Sequence, residues 1–491
     1  MGIPGRTRDI QRTTCKVSLL LFATAIEHTV ISGEAKSHIK NLLYSPACIN
    51  QSQNLREFRD SLPQESTYYD LPSSIVSRIK NQVRLRDAKD ILEVCHTNRQ
   101  QKEERVNIAV FGGSMTAGAA CKERDMKNKA CSWPARLQRI LDLAYPDCFR
   151  VHNFARGGTQ TEVALSSIAI TLRSILKSSA GQPALVLTDY SVNDAYEIGG
   201  NLGHTSSLQD MDFGLYDKGA ALGEALVRTI RNISGPNLEH LMLLSHCPEC
   251  VNDGGLLDGF AAASKFHSVP TLDFRQLFPK YWEPKVTHPD YRTHELMAEL
   301  VADAMITQLN KHCSVTNLDQ HEATFSDPQL LEKLPVCIEP ISIYSAYDHS
   351  ETAPLNSSYL GPWRLIQDRE GKPGWITTKP NSTLTLPVGF GAVPVMIINY
   401  LKSYEGMGAA TLTLNQNTVQ LTGLWDKKMS TTVSFVSQAY TSTQQGPAGD
   451  DDHYGAIGFG VKPHTFHNLT LKFQPNSTPG EKFKLIEVFT C

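Results

Sequence analysis

The chain has no excess of positive charge: 47 Lys and Arg stand against 50 Asp and Glu, a formal net charge of −3. No basic excess is available to neutralise a phosphate backbone, so no nucleic-acid partner is expected. The apolar run Val17 to Ile26 has only ten residues. A bilayer needs about 20, so no integral membrane span is expected there. No internal repeat is present. Arg6 stands where N-myristoylation requires Ser or Thr. Cys247-Pro-Glu-Cys250 is half of a zinc site, but no second close Cys/His pair completes it. "GDDDHYG", from Gly449, lacks the spacing of an EF-hand loop and reads as a solvated acidic turn. No metal is expected.

What is present is an ordinary globular profile over 491 residues, 41% hydrophobic and 20% charged, long enough for more than one domain. Arg6, Arg8, Arg12 and Lys16 precede the short apolar run, and Ala23-Thr24-Ala25 fits a small-residue cleavage pattern. Residues 1–25 therefore read as a signal peptide rather than as a buried first helix. There are 11 cysteines, and removing the signal deletes Cys15 and leaves ten. Disulfide chemistry follows, also for Cys247 and Cys250, though sequence does not give the pairing. Cys121 with Cys131 is one plausible pair. Six N-x-S/T sequons, at Asn50, Asn232, Asn356, Asn381, Asn468 and Asn476, point the same way. The expected location is the secretory pathway or the extracellular space.

Texture divides the chain. Residues 26–104 read as a polar helical extension. Over 105–313, five short apolar runs ("VNIAVF", "FRVHNF", "ALVLTDY", "HLMLLS" and "VPTLDF") alternate with amphipathic helical stretches. One helix starts at Ser132, a good N-cap residue, with Trp133, Leu137, Ile140, Leu141 and Ala144 on one face. Another carries Leu222, Leu226, Ile230 and Ile233. A third runs from about His294, with Met297, Leu300, Val301 and Ala304 inward. This alternation predicts a parallel sheet with helices on both faces. Residues 314–335 read as a polar linker. In 336–491 helical periodicity vanishes and alternating segments such as "STLTLPV", "VPVMIINYL" and "ATLTLNQNTVQLTG" predict an all-β sandwich. Trp363, Trp375, Tyr400, Tyr404 and Trp425 could stack on sugar rings, but at least half are expected in its core.

The first strand runs into Gly112-Gly113-Ser114. A serine hydroxyl needs a base to take its proton and donors for the oxyanion that forms. Candidates stand at other strand ends: Asn153 and Gly158 in "HNFARGGTQT", Asn193 in "TDYSVNDAY", and His288 and His294 in "VTHPDYRTHELMAELV". Singly, each has a plain structural explanation as a turn, a cap or a surface residue.

In this order, however, Gly-x-Ser, Asn-x-Ala-x-x-Gly, a strand-end Asn-Asp and His-Pro before a helix resemble the SGNH (GDSL-type) hydrolases over residues 105–312. The resemblance implies a three-layer, flavodoxin-like α/β fold and no cofactor. It implies Ser114 as nucleophile and His288 as general base. It implies an oxyanion hole from the Ser114 and Gly158 backbone N–H groups and the Asn193 side-chain amide. His294 falls where the family often has a histidine at the start of the last helix. The chain departs from the pattern in three places. Gly113 replaces an Asp, Ser191 replaces a Gly, and Lys285 stands where the orienting acid belongs. The ring of His288 would then be held by Glu283, by Asp290 or by a main-chain carbonyl.

The resulting expectation is a secreted serine esterase acting on O-acyl, foremost O-acetyl, esters of carbohydrates or related small substrates. The alternatives are an O-acyltransferase of the same fold, and a catalytically inactive extracellular glycan-binding protein. The sequence does not give the oligomeric state.

Overall fold

The computed structural model describes residues 91, 95, 105–123, 125–178, 184–198, 214–234, 238–245, 255–275, 282, 288–311, 341–346, 361–369, 372–392, 394–426, 428, 430–438, 459–475 and 481–491. The expected signal peptide, nearly all of the expected N-terminal extension, the expected 314–335 linker, Cys247, Cys250, Glu283, Lys285 and the acidic stretch at Gly449 lie outside these residues, as do the sequons at Asn50, Asn356 and Asn476.

All five apolar runs of the first domain are parallel strands of one sheet: β1 (Val106–Gly112), β2 (Phe149–Asn153), β3 (Ala184–Asp189), β4 (Leu238–Leu244) and β5 (Thr271–Asp273). Their spatial order is β2-β1-β3-β4-β5, the flavodoxin-like doubly wound arrangement. Side chains alternate between faces. Val106, Ile108 and Val110 of β1 enter one core together with α1 (Trp133–Ala144) and α6 (Tyr291–Lys311). Ala109 and Phe111 enter the other, with α2 (Thr161–Ser178), α4 (Leu215–Ser234) and α5 (Leu256–Phe266). The short helix α3 (Ser191–Ile198) follows β3. Among the described residues no helix is long and apolar enough to cross a membrane.

Ser132 sits at the N-cap of α1, as its type suggests, but its hydroxyl makes no capping bond. It donates to Lys129 O at 2.7 Å and accepts from the Asn153 amide at 3.3 Å. Pro134 in the first turn needs no capping acceptor, which leaves that hydroxyl free for the neighbouring loop.

The Cys121–Cys131 disulfide is present. A second disulfide, Cys95–Cys148, ties the N-terminal segment to the residue before β2. Cys491 is also disulfide-bonded.

The second domain is a β-sandwich. Its strands are β6 (Ser342–Ser345), β7 (Arg364–Arg369), β8 (Lys372–Thr377), β9 (Thr383–Gly389), β10 (Val395–Ser403), β11 (Ala409–Leu414), β12 (Asn417–Thr422), β13 (Ser430–Gln438), β14 (Phe466–Gln474) and β15 (Phe483–Thr490). A six-stranded sheet has the path β13-β10-β15-β8-β7, with β6 also on β15. A four-stranded sheet has the order β9-β14-β11-β12. The inner faces share one core, in which Trp363, Trp375 and Tyr400 are buried. Tyr404 is exposed and Trp425 half-buried.

β10 and β15 are buried on both faces. Met396, Ile398 and Val488 point into the sandwich. Val395, Ile397 and Phe489 point the other way and join the α2 side of the first domain's core. The two domains are therefore docked through a continuous apolar seam. Deleting a buried aromatic costs about 3–5 kcal/mol. Phe489→Ala should lower the urea unfolding midpoint by a corresponding amount, and an unchanged midpoint would show that the seam contributes nothing to stability.

Candidate active site

The carboxyl end of β1 breaks into a tight turn. Its entry is fixed by Gly113 N–H donating to Asp189 O (3.2 Å) at the end of β3, and its exit by Ala119 N–H donating to Ser114 O (2.9 Å). Beneath it lies a buried polar hub. Thr116 Oγ1 donates to Asp189 Oδ2 at 2.6 Å and accepts from Trp133 Nε1 at 3.2 Å. Burial pushes the Asp189 carboxyl up to about 6, against the opposing hydrogen bond from Thr116.

Ser114 is half-buried on this turn. His288, 174 residues away, enters from the segment before α6, and its Nε2 lies 2.8 Å from Ser114 Oγ. Burial holds the His288 ring below the ordinary imidazole value, so it is neutral at pH 7. Trp282, fully buried in the α1/α6 core, anchors the chain just before it.

The segments that carry the other two expected oxyanion residues, Asn193 and Gly158, adjoin the serine turn. Asn193, in the first turn of α3, packs its side chain flat against Gly113: a Cβ added there would meet Asn193 Oδ1 at 1.9 Å. A side chain at 113 would force the Asn193 amide to move from this position. The β2–α2 loop passes on the other side. A Cβ on Gly157 would come within 3.8 Å of Ser114 Cβ, and Gly158 has φ of +72°, a conformation that favours glycine. Asn153 shapes this loop. Its amide donates to Thr116 O (3.0 Å), and its Oδ1 accepts from Ala155 N–H (3.0 Å).

Asp194 is fully buried and accepts from both Thr161 N–H (2.8 Å) and Thr161 Oγ1 (2.7 Å). It caps α2 rather than its own helix, and burial pushes its carboxyl up to about 7.

The remaining candidates fall apart from the pair. Asp290 is exposed, accepts from Arg292 N–H at 3.0 Å and pairs with the Arg292 side chain. It serves the start of α6, and among the described residues no carboxylate bonds the His288 ring. Glu283 and Lys285 lie outside them. His294 is completely buried in α6, with Nδ1 accepting from Trp133 N–H at 3.4 Å. Burial, with Arg136 and His288 nearby, drives its pKa down to about 3, so it is a neutral packing residue. Sequence reasoning did not single out Thr116, Trp133 or Asp189 as a unit. The available signal was that two of them, Thr116 and Asp189, stand at strand ends beside the serine turn.

No family model and no curated protein matches the chain. Solved structures do. A two-domain esterase (CEX) active on acetylated mannans aligns over 80% of this chain and 93% of its own, at 15% identity and a TM-score of 0.52. The same esterase co-crystallized with mannopentaose aligns equally, at 15% identity and 0.52 over 80% and 92%. A psychrotrophic esterase, EstA from Pseudoalteromonas sp., aligns over 42% of this chain and 98% of its own, at 16% identity and 0.31. A member of the lipolytic protein G-D-S-L family from Veillonella parvula aligns over 40% and 96%, at 15% and 0.28. These neighbours are described as esterases, and one of them as a member of the lipolytic G-D-S-L family. The first pair shares with this chain the two-domain architecture as a fold.

Asp189 offers a test independent of any activity. Its folded-state value, about 6, stands above the ordinary 3.8. The fold therefore favours the neutral carboxyl. That stabilisation is fully present below about pH 4 and is lost as pH rises through about 6. Asp189→Asn is neutral throughout, so its unfolding free energy should fall less between pH 4 and pH 8 than the wild type's, by up to about 3 kcal/mol. Identical pH slopes would contradict the buried-carboxyl account.

Proposed function

We propose that the chain is a secreted serine esterase of the SGNH type that hydrolyses O-acyl, foremost O-acetyl, esters on carbohydrates. The observation that carries this reading is the 2.8 Å contact between His288 Nε2 and Ser114 Oγ, made between residues that share no element. A neutral imidazole at that distance is placed to accept the serine proton. Ser114 Oγ attacks the ester carbonyl carbon as its proton passes to His288 Nε2. The carbonyl oxygen becomes an oxyanion within reach of the Ser114 and Gly158 N–H groups and the Asn193 amide. These are fixed dipoles that reorganise little as charge develops. The imidazolium then protonates the departing alkoxide, leaving an acyl-enzyme. Water, deprotonated by the same ring, releases the acid and regenerates Ser114.

An orienting carboxylate for His288 is not part of the proposal. A Ser-His pair without the acid is a weaker catalyst, but it is not an inactive one, because oxyanion stabilisation persists. The carbohydrate substrate class is supported by the shared two-domain fold of the esterase active on acetylated mannans, and the secretory location by the sequons and the disulfides.

Hydrolysis of p-nitrophenyl acetate, longer-chain esters and acetylated mannan should be measured for the wild type, Ser114→Ala and His288→Ala. Both variants should lose about 10³-fold or more in kcat/KM, with acetyl esters cleaved fastest. Turnover that survives Ser114→Ala would contradict the proposal.

A further inference from the structure

Glu487 is a charged residue in a strand, "FKLIEVFT", in which every side chain is buried. It is 1% exposed, and an isolated buried carboxylate is costly. Its partners come from both domains. Oε2 accepts from Ser166 Oγ of α2 (2.5 Å) and from Asn399 Nδ2 of β10 (3.0 Å). Oε1 accepts from Ser345 Oγ of β6 (2.7 Å) and lies 3.8 Å from Arg156 Nη1. Asn399 Nδ2 also reaches Val163 O of α2 at 3.2 Å.

The first-domain partners bracket one stretch of chain. Arg156 precedes Gly157-Gly158 and Ser166 follows them. Arg156 N–H donates to Gly112 O (3.0 Å), the residue that leads into the serine turn. Thr431 of β13 lies over the same loop, with Oγ1 3.4 Å from where a Cβ of Gly158 would stand. The loop beside Ser114 is thus clamped from outside its own domain.

We propose that Glu487 is a positioning residue: through Arg156 and Ser166 it holds the Gly157–Gly158 loop in place, so that the oxyanion hole of the first domain is completed only when the sandwich is docked. This rests on the reading of Gly158 as an oxyanion donor. The sandwich is then an integral part of the catalytic unit, and its role does not depend on binding glycan.

The full-length wild type, Glu487→Gln, Arg156→Gln and the double variant test it. Active sites are titrated with a fluorophosphonate so that kcat refers to folded, reactive enzyme. Loss of one oxyanion donor costs about 10²–10³ in kcat, so a loosened donor should cost about tenfold or more. Glu487→Gln should lower kcat per titrated site by that factor, with KM within about twofold. The double variant should be no worse than the poorer single one, because both break the same clamp. A merely structural Glu487 would lower the number of titrated sites and leave kcat per site unchanged, and that result would overturn the proposal. Hydrogen exchange of the peptide covering 155–166 needs no substrate. It should quicken in Glu487→Gln, and unchanged exchange would also overturn the clamp. A wild type that neither labels nor turns over would sink the esterase reading, and the exchange result would still decide the clamp.

Discussion

At the carboxyl end of β1 the chain must leave the sheet abruptly, and the buried carboxyl of Asp189 with its backbone oxygen makes that exit possible. The carbonyl takes Gly113 N–H, and Oδ2 takes Thr116 Oγ1. These two contacts pin the turn on either side of Ser114. Trp133 links the same hub to α1, whose first turn also receives the His294 ring of α6. Since α6 begins three residues after His288, the hub that fixes the serine also sets the origin of the element that delivers the histidine. The 2.8 Å approach between residues 174 positions apart follows from packing in one core.

The second constraint acts across the domain seam. A doubly wound sheet normally closes each face with its own helices. Here α2 is covered further by β10 and β15 of the sandwich. Asn399 and Glu487 meet the polar groups that this docking would otherwise bury unpaired. Because the same helix follows the glycine loop, whatever fixes α2 also fixes the loop beside Ser114.

Much of this was legible in the residues. Parallel strands are covered on both faces and so read as continuous apolar runs, and all five were visible. The serine turn, the glycine loop and Asn193 stood after strands, and His288 just before the last helix, in recognisable order. Local chemistry misled where a polar side chain serves a neighbour rather than its own element. Ser132 stands at an N-cap yet bonds Lys129 and Asn153. Asp194 lies in α3 yet caps α2. Asp290, an acid next to His288, answers the nearer demand of the α6 N-terminus. A second covered face was written in "VPVMIINYL" and "FKLIEVFT", which are mostly apolar, with Asn399, Lys484, Glu487 and Thr490 as polar exceptions. Sequence alone does not say which surface covers the second face.

The most direct measurement is labelling of the folded, full-length protein with a fluorophosphonate, followed by peptide mapping. The account predicts one phosphonylated residue, Ser114, no label in Ser114→Ala, and much slower labelling in His288→Ala. A folded protein whose Ser114 stays unmodified, or that is modified at another serine, would contradict it.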